Sequence, residues 1–173
     1  SQQTWVMSPS TRLAVLATQE NVENERLAEV VKLVNSEFVE KEVVSSTPFT
    51  MVYTNEEDVA SADVLIKLDT DSSLYDGSES TEAYRIDIGA DGVVITAASE
   101  NAVMYALRTI QNYMVANAGL PYGTIVDYPD VAERRLHVAC ARKYISKDWF
   151  IRQIRDLAFL KMNALQIHFS ETL

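Results

Sequence analysis

Glu82–Ser99 reads "EAYRIDIGADGVVITAAS". Tyr84, Ile86 and Ile88 alternate with Arg85 and Asp87, the period of two that puts apolar side chains on one face of a strand and charged ones on the other. Asp91-Gly92 follows, a dipeptide suited to the positive φ angles of a tight turn, and "VVITA" (93–97) is rich in β-branched residues again. The pattern predicts a β-hairpin with one buried face. That face requires a second layer to cover it.

The cover is legible on both sides of the hairpin. Ser99 is placed to cap a helix in which Val103, Ala106, Leu107, Ile110, Tyr113 and Met114 form one apolar stripe, closed by Gly119 and Pro121. Upstream, "TRLAVLAT" (11–18) has the aliphatic density of a buried strand, and Leu27, Val30, Val31, Val34 and Phe38 then fall at helical spacing. "PFTMVYT" (48–54) and "DVLIKLD" (63–69) read as two further strands. Residues 1–126 are thus predicted as about five strands and two helices, an α+β layer in which the helices cover one sheet face. Between them "DTDSSLYDGSES" (69–80) reads as a solvated loop, since Asp69, Asp71 and Asp76 do not fall at the spacing of an EF-hand calcium loop.

Past "YGTIVDYPDVAE" (122–133) the register changes to strand, helix, strand: "RRLHVACA" (134–141), a helix capped by Ser146 and running through Trp149, Ile151, Ile154 and Leu157, then "ALQIHF" (164–169). No common face is assigned to those four residues, and the spacing fits a parallel βαβ unit with the helix as crossover. Charge shifts at the same place. Residues 1–126 hold 7 basic and 19 acidic side chains, a balance of −12, and residues 127–173 hold 8 basic and 6 acidic, a balance of +2. We therefore divide the chain into domains 1–126 and 127–173. A two-stranded parallel pair leaves its edges open, so the second part is expected to pack on the first or on a second copy of the chain.

Composition excludes several classes of function. With 47% apolar and 23% charged residues, the 173-residue chain is neither disordered nor fibrous. A net charge of −10, with no basic run longer than a pair such as Arg142-Lys143, argues against nucleic acid as a partner. Cys140 is the only cysteine, which rules out an intramolecular disulfide and a cysteine zinc cluster and leaves it as a small buried hydrophobe. His137 and His168 without a carboxylate set read as hydrogen-bonded structural groups, so no metal and no cofactor is expected. No apolar run approaches the ~20 residues that span a bilayer, and the first residues, which include no initiator Met, lack a signal-peptide pattern. A processed or trimmed piece of a longer protein is the expectation.

An ordered series of short motifs carries a resemblance. Asp127 and Pro129, Arg134 before a strand, Ala141–Tyr144 at its exit, "KMNAL" at Lys161–Leu165 and "HFSE" at 168–171 follow a hairpin and a helix bearing Leu107, Thr109 and Gln111. Together they resemble the entry into the catalytic barrel of family 20 glycoside hydrolases, the β-N-acetylhexosaminidases and lacto-N-biosidases. The resemblance implies a mixed sheet with two helices on one face, followed by an incomplete (β/α) barrel that stops after its second strand. It implies a glycan substrate with a terminal N-acetylhexosamine, hydrolysed with retention by the sugar's own acetamido oxygen, while an Asp-Glu pair orients that amide and protonates the leaving oxygen. That pair belongs at the end of the fourth barrel strand, beyond residue 173, so the chain as given is expected to be inactive. Arg134 is implied to bind sugar hydroxyls, which suit a guanidinium fork, and Glu171 to stand at the barrel rim. The family commonly has Asp where Ala139 stands and Gly where Arg135 stands, which bears on the polar network of the barrel floor. A secreted or surface location is favoured by the resemblance; a non-catalytic module that supports carbohydrate binding is the competing reading.

Overall fold

The first arm of that hairpin is an interior strand of a six-stranded sheet, paired on both sides. The computed structural model describes residues 3–8, 10–16, 25–40, 50–54, 62–117 and 119–170. They fall into two units, Ser1–Pro129 and Asp130–Leu173. In the first, the strands are β1 (Thr4–Trp5), β2 (Arg12–Leu16), β3 (Thr50–Thr54), β4 (Val64–Leu68), β5 (Tyr84–Gly89), β6 (Gly92–Ala97), β7 (Leu120–Pro121) and β8 (Gly123–Asp127). Its helices are α1 (Glu25–Glu40) and α2 (Glu100–Ala116). The second unit holds β9 (Arg135–Ala139), α3 (Lys147–Phe159) and β10 (Ala164–His168).

Six strands form one mixed sheet in the order β3-β2-β4-β6-β5-β8, and β1 pairs with β7 apart from it. β3, β2, β4 and β6 run parallel, and β5 runs antiparallel to both β6 and β8. Tyr84, Ile86 and Ile88 point into the core, as the alternation predicts. The turn lies one residue earlier than Asp91-Gly92. Gly89 pairs with Gly92, so Ala90 and Asp91 form the loop and Gly92 opens β6 with φ 129°. A Cβ at Gly92 would collide with the carbonyl oxygen of Asp63, which accepts a hydrogen bond from Val93 N at 2.8 Å. Close approach to β4, as well as turn geometry, therefore requires glycine there.

β8 lies inside the stretch 122–133, to which no element is assigned from the sequence. It begins at Gly123, two residues after Pro121, and only Ile125 and Val126 in it are aliphatic, so it lacks the apolar density that marks β2 and β4. It pairs with β5 from Gly123 to Asp127, which places Asp127 in the sheet of the first unit.

The core is the helix side of this sheet. Leu27, Val31, Val34 and Phe38 of α1 and Val103, Ala106, Leu107, Ile110 and Met114 of α2 are buried against Leu13, Val15, Ile66, Ile86 and Ile95. Each fully buried aliphatic or Phe side chain contributes about 1.5–3 kcal/mol. Tyr113, expected in the α2 stripe, is 39% exposed. Ser99 caps α2 as predicted, its Oγ accepting from Ala102 N at 3.2 Å, and the chain leaves the helix through Asn117.

Arg108 and Tyr84 carry polar atoms into the buried region and find partners there. Arg108 is fully buried and ion-paired with Glu37 of α1; its Nη2 donates to Glu37 Oε1 at 3.2 Å and its Nη1 to Gln111 Oε1 at 2.9 Å, while Nε has no partner. Desolvation lowers the Arg108 pKa to about 10, which leaves it charged at neutral pH. Tyr84, at the start of β5, donates its hydroxyl to Asp127 Oδ2 at 2.6 Å, and the Tyr84 hydroxyl oxygen lies 2.6 Å from Thr109 Oγ1 of α2. The last residue of β8 is thereby tied to β5 and α2. Burial first, and then the bond to Asp127, push the Tyr84 phenol well above its usual range; Tyr75 is pushed up to about 12, by burial and then by Asp69 and Asp71. Asp71 caps the short 3₁₀ turn Ser72–Tyr75, and Tyr75 donates to Asp69 O at 2.6 Å, so the aspartates of this loop organise its own backbone.

In the second unit β9 and β10 pair in parallel from Arg135↔Ala164 to Ala139↔His168, with α3 between them in sequence. Ser146 caps α3, its Oγ accepting from Trp149 N at 3.2 Å. Of the apolar residues named along α3 only Leu157 is buried; Ile154 is 52% exposed, because two strands offer one helix too little surface to cover it.

Removing Arg108 alone strands a carboxylate at the helix interface. Arg108→Met is expected to cost about 3 kcal/mol in urea denaturation, and the paired Glu37→Met/Arg108→Met change to recover most of it. A double variant no better than the single one would show that the charges themselves are needed. The raised tyrosine values favour the folded state with the phenols neutral. That stability is full below the unfolded tyrosine value of about 10 and is lost as pH rises toward the folded values. Tyr84→Phe should lower stability at pH 7 by about 2 kcal/mol and flatten the fall above pH 10. An unchanged alkaline limb in that variant would refute the assignment to Tyr84.

Candidate functional site

Parallel strands joined by a helical crossover place their functional loops at the strands' carboxyl ends. In the second unit that end is a cavity of about 430 Å³ lined by Ala139, Ala141, Arg142, Lys143, Ile145, His168 and Ser170. Residues from the exit of β9 and the exit of β10 meet there. His168 Nε2 hydrogen-bonds Ser170 Oγ, and the His137 ring lies 6.0 Å from the His168 ring, tilted by 48°. Both histidines belong to the strand face that also carries Arg135 and Gln166, whose side chains are joined by a 2.6 Å hydrogen bond from Arg135 Nη1 to Gln166 Oε1. Arg135 is further ion-paired with Glu133. Among the described residues no group of three or more His, Cys, Asp or Glu is placed to hold a metal ion.

Arg134 lies at the opposite end, just before β9. Its Nε donates to Lys161 O at 2.8 Å and its Nη1 to Val131 O at 2.8 Å, while its backbone N–H donates to Asn163 Oδ1 at 2.9 Å. Asn163 Nδ2 in turn donates to Ala132 O at 2.7 Å. These bonds clamp the entry of β9 to the turn that leads from α3 into β10. A five-residue strand is about 16 Å long, so Arg134 and the cavity at Ala139 stand at different ends of the pair. Glu171 lies outside the described residues. The structure thus places Arg134 away from the cavity and lines the cavity with Arg142 and Lys143, which the sequence distinguishes in that they follow a strand whereas Arg134 precedes one. Cys140, expected as a buried hydrophobe, is only partly buried, with its Sγ 4.0 Å from Val138 O.

No described helix is long and apolar enough to cross a membrane. Residues 1–128 match the family model described as glycosyl hydrolase family 20, domain 2. The chain is 34% identical over 91 residues to an N,N'-diacetylchitobiase of Vibrio harveyi, a match covering 51% of this chain and 10% of that protein. It is 28% identical over 102 residues to a lacto-N-biosidase of Bifidobacterium bifidum, covering 58% of this chain and 9% of that one. Only about a tenth of each of these relatives is spanned. Among solved structures, a GH20 β-N-acetylhexosaminidase from Streptomyces coelicolor superimposes with a TM-score of 0.71 at 20% identity, covering 99% of this chain and 33% of that one. A Flavobacterium johnsoniae chitobiase gives 0.74 at 18% identity, covering 97% and 25%. Those two likenesses concern the fold, and the family-model match carries the assignment: the chain belongs to glycosyl hydrolase family 20, with the family's domain 2 occupying residues 1–128.

Proposed function

We propose that this chain is the amino-terminal part of a retaining β-N-acetylhexosaminidase, in which Asp130–Leu173 is the first βαβ of a (β/α) barrel. The observation that carries the reading is the parallel β9-α3-β10 unit that directly follows a family 20 domain and has a cavity at its strand exits. Relatives named as hexosaminidase, chitobiase and lacto-N-biosidase support a glycan with a terminal N-acetylhexosamine as the substrate. In the mechanism that fits, the acetamido oxygen of the substrate attacks the anomeric carbon while an Asp-Glu pair orients the amide and protonates the leaving oxygen. The residues that follow 173 are proposed to supply that pair.

Within this chain Arg142 is the residue we assign to the sugar, because a guanidinium at the strand exit offers paired donors to vicinal hydroxyls. Glu171, which follows Ser170 in sequence, is assigned to the same rim. Arg134, whose guanidinium serves the carbonyls of Val131 and Lys161, is assigned to holding the strand start in place of the sugar contact expected of it. Tyr144 and Phe169 are 92% and 73% exposed, and the 173-residue chain is proposed to self-associate through this second unit.

The protein extended through the following residues should release p-nitrophenol from its N-acetylglucosaminide, and the 173-residue chain should release none above the buffer blank. Activity in the short chain would overturn the placement of the acid pair. In the extended protein Arg142→Ala should lower kcat/KM by about 100-fold, as expected for the loss of a charged hydrogen-bond donor to the substrate. Arg134→Ala should act mainly on thermal stability; the reverse pattern would exchange their roles.

A further inference from the structure

The sheet of the first unit has a second face, and its residues lie in register. Leu65 pairs with Val94, Val94 with Asp87, and Asp87 with Thr124, so these four side chains form one row across β4, β6, β5 and β8. Arg85, two residues before Asp87, sits on the same face in the next row. A cavity of about 750 Å³ opens over this row beside the β5–β6 hairpin, with Leu65 and Val94 among its apolar lining and Asp87 and Thr124 among its polar lining. Gly89 borders it, and a Cβ there would meet nothing within 4 Å.

The polar chemistry is unusual for a bare sheet face. Arg85 grips Asp87 with Nε to Oδ2 at 2.8 Å and Nη2 to Oδ1 at 2.9 Å, and Thr124 Oγ1 donates to Oδ1 at 2.7 Å. The carboxylate charge is met by its own fork, so the group calls for neither a metal cation nor an anion. What remains is hydrogen-bonding capacity: lone pairs on the Asp87 and Thr124 oxygens and further N–H donors on Arg85. The Asp87 and Thr124 oxygens line the cavity and Arg85 adjoins it through Asp87, and these groups beside an apolar floor match a neutral polyhydroxylated ring, whose C–H face and acetamido methyl group would rest on Leu65 and Val94.

We propose that this face is a second, non-catalytic saccharide site, taking an oligosaccharide of β-linked N-acetylhexosamine. The choice of that sugar rests on the family reading above; the cavity and its hydrogen bonds do not.

The test is NMR of the ¹⁵N-labelled 173-residue chain titrated with N,N',N'',N'''-tetraacetylchitotetraose. Saturable shifts are expected at the amides of Gly89, Val94 and Thr124. Gly89→Leu, which fills the cavity from an open position, and Thr124→Val, at an exposed position, should each weaken binding by about tenfold or more, equivalent to about 1.4 kcal/mol. Absence of shifts at 10 mM ligand, shifts confined to residues 139–170, or shifts indifferent to both variants would overturn the proposal. Hydrolysis by the extended protein without binding at this face would remove the second site alone. Binding at this face without hydrolysis would remove the enzyme reading and leave the site.

Discussion

Strand β5 is hydrogen-bonded on both sides, to β6 and to β8, and its register decides which side chains of the hairpin enter the core. Because side chains alternate with a period of two, a one-residue slip would carry Tyr84, Ile86 and Ile88 out of the core and Arg85 and Asp87 into it. The cost of burying an ion pair under two helices makes that slip prohibitive. Gly92 pins the register from the other side, since only a residue without Cβ can pass the Asp63 carbonyl where β6 meets β4.

With the register held, both faces acquire their roles. The inner face presents a continuous apolar surface to α1 and α2, and the pair of helices is keyed by Arg108 and Glu37, a contact whose effect is more to specify the helix pairing than to add net stability. The outer face presents the row from Leu65 to Thr124, where the Arg85–Asp87 pair is held flat by the strand geometry. The same strand begins with Tyr84, which fixes Asp127 as β8 ends and the chain turns toward Pro129. One strand therefore sets the core, the outer surface and the direction in which the polypeptide leaves the sheet.

The second unit obeys a different constraint. A parallel pair with a single crossover helix leaves Ile154 and the strand edges uncovered, and what stability it has comes from local devices: the Ser146 cap, the Arg134 and Asn163 clamp, and the ladder between β9 and β10. The arginine that the sequence marked most plainly is consumed by that clamp, and the strand exits are left to Arg142 and Lys143.

The sequence by itself determined the hairpin, the capped helices with their apolar stripes, the parallel βαβ pattern and the family, because periodicity of 2 and 3.6, caps and ordered motifs are local and survive without a structure. It did not disclose β8, which carries only two aliphatic residues between Gly123 and Asp127, nor the turn position, which depends on the clearance between Gly92 and Asp63. It did hold the sign that separates Arg142 from Arg134, one following the strand and the other preceding it, but not that the carbonyls of Val131 and Lys161 take up the Arg134 guanidinium. The tertiary structure alone decided that Leu65, Val94, Asp87 and Thr124 form one row. Residues up to 59 positions apart in the chain become neighbours only when the ladder between strands sets their register.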